Sequence, residues 1–228
     1  MKKILVTGAS GNLGKSVVVA LHNAGHRVLA TLGSNREAGV FDHLVRVKTN
    51  IVNVLDGTIA QQYLLDNSDT PIDAAVLLVG GFAKGTLQES DVATLDKMYQ
   101  LNFMSAYNVV KPLMVDFEQR GGGDFIFVGS KTALEEDGHD VFAYTLSKTL
   151  LFKMADMVNH YGKDKNITAT VVVPSTIDTP QTRQTASPDT DFSKWVTPEF
   201  IAQNIVDIVS DTEGSLRGTI LKLYHNNI

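Results

Sequence analysis

The chain has 228 residues, a net charge of −5 and no cysteine, and 43% of its residues are apolar and 20% charged. These values are typical of one globular domain, and they exclude a disulfide framework, an iron–sulfur cluster and a cysteine-based zinc site. The acidic balance argues against nucleic acid or an anionic membrane as a partner.

Short apolar, β-branched runs alternate with helical patterns along the chain. The predicted strands cover residues 4–7, 27–31, 44–48, 74–79, 125–128, 168–173 and 219–223, and the predicted helices cover residues 13–23, 54–65, 91–117, 141–160 and 198–210. This order predicts a single α/β domain, residues 1–228, with one doubly wound parallel sheet of about seven strands and helices on both faces, the Rossmann fold. Ligands of such sheets bind beyond the carboxyl ends of the strands.

A glycine-rich turn follows the first predicted strand and opens a helix. Its glycines, Gly8, Gly11 and Gly14, recur at every third residue. Residues without Cβ let backbone amides and the positive helix end approach a pyrophosphate, so the turn predicts a dinucleotide site. The cofactor contacts predicted in it are Gly8, Ser10, Gly11, Asn12, Leu13 and Gly14.

The same residues differ at one position from the phosphate-loop motif G-x-x-x-x-G-K-S of nucleoside triphosphatases, because the turn ends in Gly14-Lys15-Ser16. A triphosphatase also needs a carboxylate at the end of a second apolar strand to organise magnesium. Glycines instead follow residues 76–79 and 125–128. A nucleotide hydrolase is therefore only a remote alternative.

The end of the second predicted strand carries no acid. An NAD site usually has Asp or Glu about 20 residues past the glycines to bind the ribose hydroxyls, whereas this chain reads Thr31-Leu32-Gly33-Ser34-Asn35-Arg36. Ser34 and Arg36 could donate to a 2′-phosphate, so NADP(H) is predicted in preference to NAD(H). The alternative is a solvated loop in which Arg36 points into water.

Ser130, Tyr144 and Lys148 form the candidate catalytic set. Tyr144 and Lys148 lie four residues apart on a predicted helix and so share a face. A neighbouring ammonium would lower the pKa of a phenol, which is ordinarily about 10, and let Tyr144 exchange a proton with a substrate oxygen. Ser130 follows a buried strand and could hydrogen-bond the same oxygen.

With these motifs the chain resembles the short-chain dehydrogenase/reductase family over residues 3–223. The glycine turn is a variant, Thr7-Gly8-x-x-Gly11-x-x-Gly14, and the Ser…Y-x-x-x-K set is Ser130, Tyr144 and Lys148. The resemblance implies that Tyr144 is the acid/base and that Ser130 orients the substrate oxygen. It also implies that Lys148 lowers the pKa of the tyrosine and binds the nicotinamide ribose.

The resemblance assigns further positions. Asn102 matches an asparagine that supports a water-linked proton relay to the lysine, and Asn50 falls where the family has an aspartate touching adenine. A segment similar to P-G-x-x-x-T beside the nicotinamide supplies Pro174, Ile177 and Thr179, the last as a hydroxyl donor.

The family's N-N-A-G after the fourth strand is here Leu78-Val79-Gly80-Gly81, which keeps a close backbone approach to the cofactor at Gly80 and Gly81. This variant and the stretch 178–195 are most similar to the dihydropteridine-reductase branch and its small bacterial relatives. Dihydropteridine reductase has an acid at the end of the second strand and lacks the serine that this chain has as Ser130. The resemblance therefore does not imply the same substrate.

Residues 181–197 form a long polar stretch without periodicity, where a lid over the substrate would lie. Phe192 and Trp195 are expected to anchor this lid by packing rather than to contact substrate. His139 lies in a charged run, which is more typical of a solvated loop than of a substrate contact.

No metal site is predicted, because His22 and His26 lack a third ligand. No targeting segment is predicted either. Lys2 and Lys3 precede too few apolar residues for a signal peptide, and the longest apolar run, residues 74–83, is shorter than the roughly 18 residues that a membrane helix needs. With no cysteine in the chain, we expect a cytoplasmic protein.

The sequence thus predicts an NAD(P)(H)-dependent oxidoreductase that transfers hydride between nicotinamide and a small carbonyl, alcohol or conjugated imine. The alternative is a dinucleotide-sensing protein whose catalytic residues are idle. The expected partner is a small molecule, not nucleic acid or membrane. The family resemblance further implies a homodimer or homotetramer packed through helices 91–117 and 141–160.

Overall fold

Strands and helices alternate along the chain. The computed structural model describes residues 1–135 and 138–224. Its strands are β1 (Lys3–Thr7), β2 (Arg27–Leu32), β3 (Val47–Ile51), β4 (Ala74–Leu77), β5 (Gly123–Val128), β6 (Ile167–Pro174) and β7 (Ile220–Leu223). Its helices are α1 (Asn12–Asn23), α2 (Gly57–Asp66), α3 (Val92–Tyr99), α4 (Ser105–Arg120), α5 (Lys131–Leu134), α6 (Phe142–Gly162), α7 (Pro180–Gln184) and α8 (Pro198–Ser210).

All seven strands pair in parallel in one sheet, in the order β3-β2-β1-β4-β5-β6-β7. The chain winds outward from β1 in one direction as far as β3 and in the other from β4 as far as β7. The predicted doubly wound sheet is therefore confirmed. Its topological switch point lies between β1 and β4, where such sheets bind ligands at the carboxyl ends of the strands.

Each face of the sheet is covered by its own set of helices. Along β1, Leu5 packs into the layer formed with α2, α4 and α6. Ile4 and Val6 pack into the opposite layer with α1 and α8. This alternation follows from the period of two in a β-strand, and burial on both faces explains why the middle of β1 is apolar throughout.

Side-chain caps fix the starts of α2 and α8. The Thr197 hydroxyl accepts from the Phe200 amide at 3.3 Å, which confirms the predicted start of α8. The second helix was predicted to begin at residue 54, but it begins at Gly57. The Asp56 carboxylate accepts from the Thr58 and Ile59 amides and so fixes that start.

The third strand lies three residues later than predicted, at Val47–Ile51 instead of 44–48. The Leu44 amide donates to the Phe41 carbonyl at 2.9 Å, and the Val47 amide donates to the Leu44 carbonyl at 3.0 Å, so the predicted start is a turn. Val45 is 88% exposed. Its β-branched side chain favoured a strand in the sequence pattern, although the residue lies in an exposed turn. Asn50 consequently lies inside the strand.

The long helix predicted over 91–117 is divided by a π turn at Gln100–Met104, between α3 and α4. Asp91 caps its start by accepting from the Thr94 amide at 2.8 Å. A π turn inserts an extra residue into the helical repeat and is frequent at functional sites. Here it carries Asn102, which is buried.

Candidate active site

The turn between β1 and α1 can be built only with glycine at two positions. Gly8 has φ of +64°, a left-handed conformation that L side chains rarely adopt. A Cβ on Gly14 would lie 2.3 Å from the Gly8 carbonyl oxygen. Gly11 occupies the N-cap position and has no side chain to satisfy the first-turn amides of α1, which leaves them for an anion. The turn therefore fits a dinucleotide pyrophosphate.

The loop after β2 returns over this turn. Ser34 precedes a 3₁₀ turn at Asn35–Glu37, which places Arg36 on the exposed side of the loop. Residues 31–36 contain no acid, but the carboxylate of the next residue, Glu37, lies against the start of α1. The Glu37 carboxylate accepts from Lys15 Nζ at 2.7 Å and from the Ser10 hydroxyl, and these bonds, Lys15 first, lower the pKa of Glu37.

Asn50 is the fourth residue of β3, near the carboxyl edge of the sheet. Its Oδ1 lies 3.5 Å from the Tyr63 hydroxyl of α2, and burial raises the pKa of that phenol. The family position for an adenine contact is thus held by a half-buried amide whose side chain faces α2. Its contact with adenine stays a prediction.

Asn102 braces the loop that follows β4. Its Oδ1 accepts from the Gly81 amide at 2.9 Å, and its Nδ2 donates to the Gly81 carbonyl at 3.1 Å and to the Ser147 hydroxyl at 2.9 Å. A Cβ on Gly80 would lie 2.7 Å from Asn102 Oδ1 and 3.5 Å from Lys148 Nζ. The structure thus brings Gly80, Gly81, Asn102 and Lys148 together at the switch-point side of the sheet.

Ser130 follows β5 and hydrogen-bonds the Tyr144 phenol of α6. Its hydroxyl also pairs with Thr132 at 2.8 Å. The ring of Phe82 meets Tyr144 edge to face, with centroids 5.0 Å apart, while 60% of Phe82 is exposed. Ser130 and Tyr144, two of the predicted catalytic residues, are therefore in contact, and the Phe82 ring packs against Tyr144.

Lys148 lies in α6 four residues after Tyr144 and is buried. Its Nζ donates to the Val128 carbonyl at 2.8 Å. Burial lowers the pKa of Lys148 to about 8. Burial also raises the pKa of Tyr144, and the bond from Ser130 opposes this only in part. That Lys148 lowers the pKa of the tyrosine stays a prediction.

The segment after β6 is ordered by one strand pairing and by a helix cap. Pro174 ends the strand, and Ile177 pairs with Val196 across the base of the following loop. The Thr179 hydroxyl caps α7, accepting from the Thr182 amide at 3.1 Å and pairing with the Thr182 hydroxyl at 2.9 Å. Its donation to the cofactor stays a prediction.

The stretch 181–197 is partly ordered into α7 and a 3₁₀ turn at Phe192–Lys194. Its base is closed, because the Asp178 amide donates to the Val196 carbonyl at 2.8 Å. Phe192 and Trp195 pack edge to face with centroids 4.9 Å apart, which agrees with their predicted anchoring role. The Arg183 guanidinium lies over Phe192 at 4.5 Å.

The described residues contain neither a candidate metal site nor a helix that could span a membrane. They contain no group of three or more His, Asp or Glu side chains that could hold a metal ion. None of the helices in these residues combines the length and the apolar character that crossing a bilayer requires. His139 Nε2 lies 3.0 Å from Asp140 Oδ1, and 82% of the His139 side chain is exposed. Glu136 and Asp137 of the same charged run lie outside the described residues.

Three side chains at the site were missed by sequence reasoning. Glu37 could not be foreseen as a partner of Lys15, because 22 residues separate them. Thr132 and Phe82 belong to no motif that marks a contact with Ser130 or Tyr144. The single available signal was that Phe82 directly follows Gly80-Gly81, where the backbone approaches the site.

The profile of the short chain dehydrogenase family matches residues 2–190. The uncharacterized oxidoreductase YmfI of Bacillus subtilis is 23% identical over 97% of this chain and 97% of its own length. The 3-oxoacyl-[acyl-carrier-protein] reductase MabA of Mycobacterium tuberculosis is 25% identical over 80% of this chain and 72% of its own.

Solved structures show the same fold. The structure of ElxO with NADP bound superposes with a TM-score of 0.91 at 18% identity, covering 99% of this chain and 98% of that chain. An oxidoreductase of the short chain dehydrogenase/reductase family from Burkholderia thailandensis gives a TM-score of 0.88 at 24% identity, covering 99% and 92%.

Proposed function

The chain belongs to the short-chain dehydrogenase/reductase family and is an NAD(P)-dependent oxidoreductase, and on this basis we propose that it prefers NADPH and acts on a small carbonyl or conjugated imine. The observation that carries this proposal is the contact between Ser130 and Tyr144 at the carboxyl edge of the sheet, beside buried Lys148 and Asn102.

The glycine turn and the loop after β4 would hold the dinucleotide. The uncapped amides at the start of α1 suit the pyrophosphate. In the loop after β4, a Cβ on Gly80 or Gly81 would lie 2.7 Å from the side chain of Asn102 or Leu101, so glycine lets this backbone pack closely at the site. The nicotinamide, when bound, supplies or accepts a hydride at the substrate carbon. Lys148 is the residue we assign to the nicotinamide ribose, with its ammonium leaving the Val128 carbonyl.

Tyr144 and Ser130 would serve the substrate oxygen. The Tyr144 hydroxyl donates or takes the proton at that oxygen, and Ser130 donates a second hydrogen bond that steadies the developing charge. Burial raises the pKa of Tyr144. A phenol that is protonated at neutral pH is the form needed to give a proton to a carbonyl that is being reduced.

The substrate would lie against an aromatic surface. Phe82 contacts Tyr144 through one edge, while 60% of the side chain faces solvent. A flat conjugated substrate could stack there while its oxygen or nitrogen reaches the phenol. This contact supports a carbonyl or imine in conjugation rather than a long aliphatic chain.

The preference for NADPH rests on Ser34 and Arg36. Both residues lie in the loop after β2, and Arg36 is exposed and able to turn toward a phosphate. Guanidinium groups bind phosphate through several donors at once. The cysteine-free sequence suits a reducing compartment, and we place the enzyme in the cytoplasm.

We also propose that two or four copies assemble through α3, α4 and α6. Exposed apolar side chains form a stripe along α6, spaced by four, seven and four residues, at Leu146, Leu150, Met157 and Tyr161. A second stripe stacks Tyr99, Phe103 and Tyr107 across the π turn. Continuous apolar stripes on adjacent helices are typical of surfaces that a second copy covers.

The test is Tyr144→Phe, assayed with NADPH against a panel of small carbonyl, imine and quinonoid compounds. The variant is expected to bind dinucleotide as the wild type does and to lose at least about 100-fold in turnover, the usual contribution of a general acid. Undiminished turnover would show that Tyr144 is not the acid. Binding without turnover by the wild type on the entire panel would favour the sensing alternative.

A further inference from the structure

We propose that Glu37 limits the preference for NADPH by competing with the 2′-phosphate for Ser10 and Lys15. The inference rests on the proposed function, because it concerns the adenosine end of the same dinucleotide site. It assigns a role in cofactor choice to a residue that lies beyond the end of β2.

The place of the ribose follows from the fold. The Ala9 amide donates to the Thr31 carbonyl at 3.1 Å, which ties the glycine turn to the end of β2. In doubly wound nucleotide-binding sheets the adenosine ribose lies at this strand end, and a nearby side chain reads its 2′ substituent. Ser10, in the turn, and Lys15, in the first turn of α1, therefore flank the 2′ position.

These two donors are already engaged by an internal anion. Glu37 accepts from Lys15 Nζ at 2.7 Å and from the Ser10 hydroxyl, so its carboxylate stands where a phosphate oxygen would find the same partners. A 2′-hydroxyl can donate to this carboxylate and leave it in place. A 2′-phosphate carries negative charge, so it must displace the carboxylate before it can take both donors.

The displacement needs little rearrangement. The side chains of Lys15 and Glu37 are 43% and 39% exposed, and an exposed ion pair of this kind is weak. Glu37 ends a single 3₁₀ turn in which no residue is buried, so its side chain can rotate into water without repacking a core. Glu37 thus lowers the affinity for NADPH without closing the site to it.

The experiment is a fluorescence titration of NADPH and of NADH with the wild type and three variants. Glu37→Gln is expected to tighten the binding of NADPH by about twofold to fivefold, the range that one exposed pair contributes, and to leave the affinity for NADH unchanged or weaker. Lys15→Met is expected to weaken the binding of NADPH and to change the affinity for NADH by less than about twofold.

Glu199→Gln is the matched control. Glu199 is a second carboxylate that accepts from the start of α1, through the Ser16 hydroxyl at 2.9 Å, and its removal is expected to change neither affinity. The inference is overturned if Glu37→Gln shifts both dinucleotides by one factor, or if Glu199→Gln shifts NADPH equally. A wild type that binds neither dinucleotide would refute the proposed function itself. A wild type that binds them with no response to Glu37→Gln would refute only this inference.

Discussion

The side-chain amide of Asn102 hydrogen-bonds both the backbone N–H and the backbone carbonyl of Gly81. The Gly81 amide donates to Asn102 Oδ1 at 2.9 Å, and Asn102 Nδ2 returns a bond to the Gly81 carbonyl at 3.1 Å. A side-chain amide is the group that can accept and donate in this paired way. The loop that would line the cofactor is therefore fixed by one residue of the π turn.

Asn102→Ala is expected to lower the free energy of unfolding by about 2 kcal/mol, because it leaves both Gly81 groups without their partners in a half-buried place. Denaturant unfolding measures this. The control is Asn108→Ala on α4, whose Nδ2 bonds the Val54 and Leu55 carbonyls in a more exposed setting. An equal loss in both variants would contradict a special bracing role for Asn102.

Ser130→Ala is expected to lower kcat/KM about 100-fold, as does the loss of one donor to a reacting oxygen. The bond from Ser130 lowers the pKa of Tyr144, so its removal should also move the pH profile of kcat to higher pH. Steady-state assays across pH measure both effects.

Thr132→Val is the matched control for that change. It removes the other partner of the Ser130 hydroxyl, 2.8 Å away, and leaves the bond to Tyr144. Its loss of kcat/KM is expected to stay below about tenfold, with the pH profile unmoved. Identical profiles for the two variants would argue that Ser130 acts by packing alone.

Lys148→Met is expected to change how stability depends on pH. The pKa of Lys148 is about 8 in the folded chain and about 10.4 when unfolded. Between these values the unfolded state binds more protons, so wild-type stability rises with pH. The variant lacks this rise, and its stability relative to wild type should fall by about 2 kcal/mol from pH 7 to pH 10.

Guanidinium unfolding of the cofactor-free protein at the two pH values tests this. Lys153→Met removes an exposed lysine from the same helix and serves as the control. Its effect on the free energy of unfolding is expected to be the same at both pH values. If the difference in the free energy of unfolding between Lys148→Met and the wild type were also the same at both pH values, burial would not destabilise the ammonium of Lys148.

Met157→Glu is expected to prevent the proposed assembly, because it puts a charge into the exposed stripe of α6, where Met157 is 64% exposed. Light scattering should then report the 24.8 kDa monomer in place of a multiple of it. Val45→Glu, at an 88% exposed position before β3, should leave the mass unchanged. A wild type that is already monomeric would remove the basis for the assembly.

The sheet could be predicted because its central strands are buried on both faces and leave unbroken apolar runs, as in residues 125–128. The third strand was displaced because Val45 carries a β-branched side chain yet lies in an exposed turn. The π turn was invisible, since residues 100–104 have the same pattern as a regular helix. Glu37 was missed for another reason: its contact with Lys15 exists only after the loop folds back.

The π turn also limits how this chain can vary in length. The wide π turn at Gln100–Met104 uses one residue more than a regular turn for nearly the same rotation, so deleting one residue there would restore a regular helix and leave α3 and α4 close to their present orientation. Asn102 would then be moved away from the Gly81 backbone that it braces. Homologues that share the Asn102 brace should therefore place their insertions and deletions outside this helix.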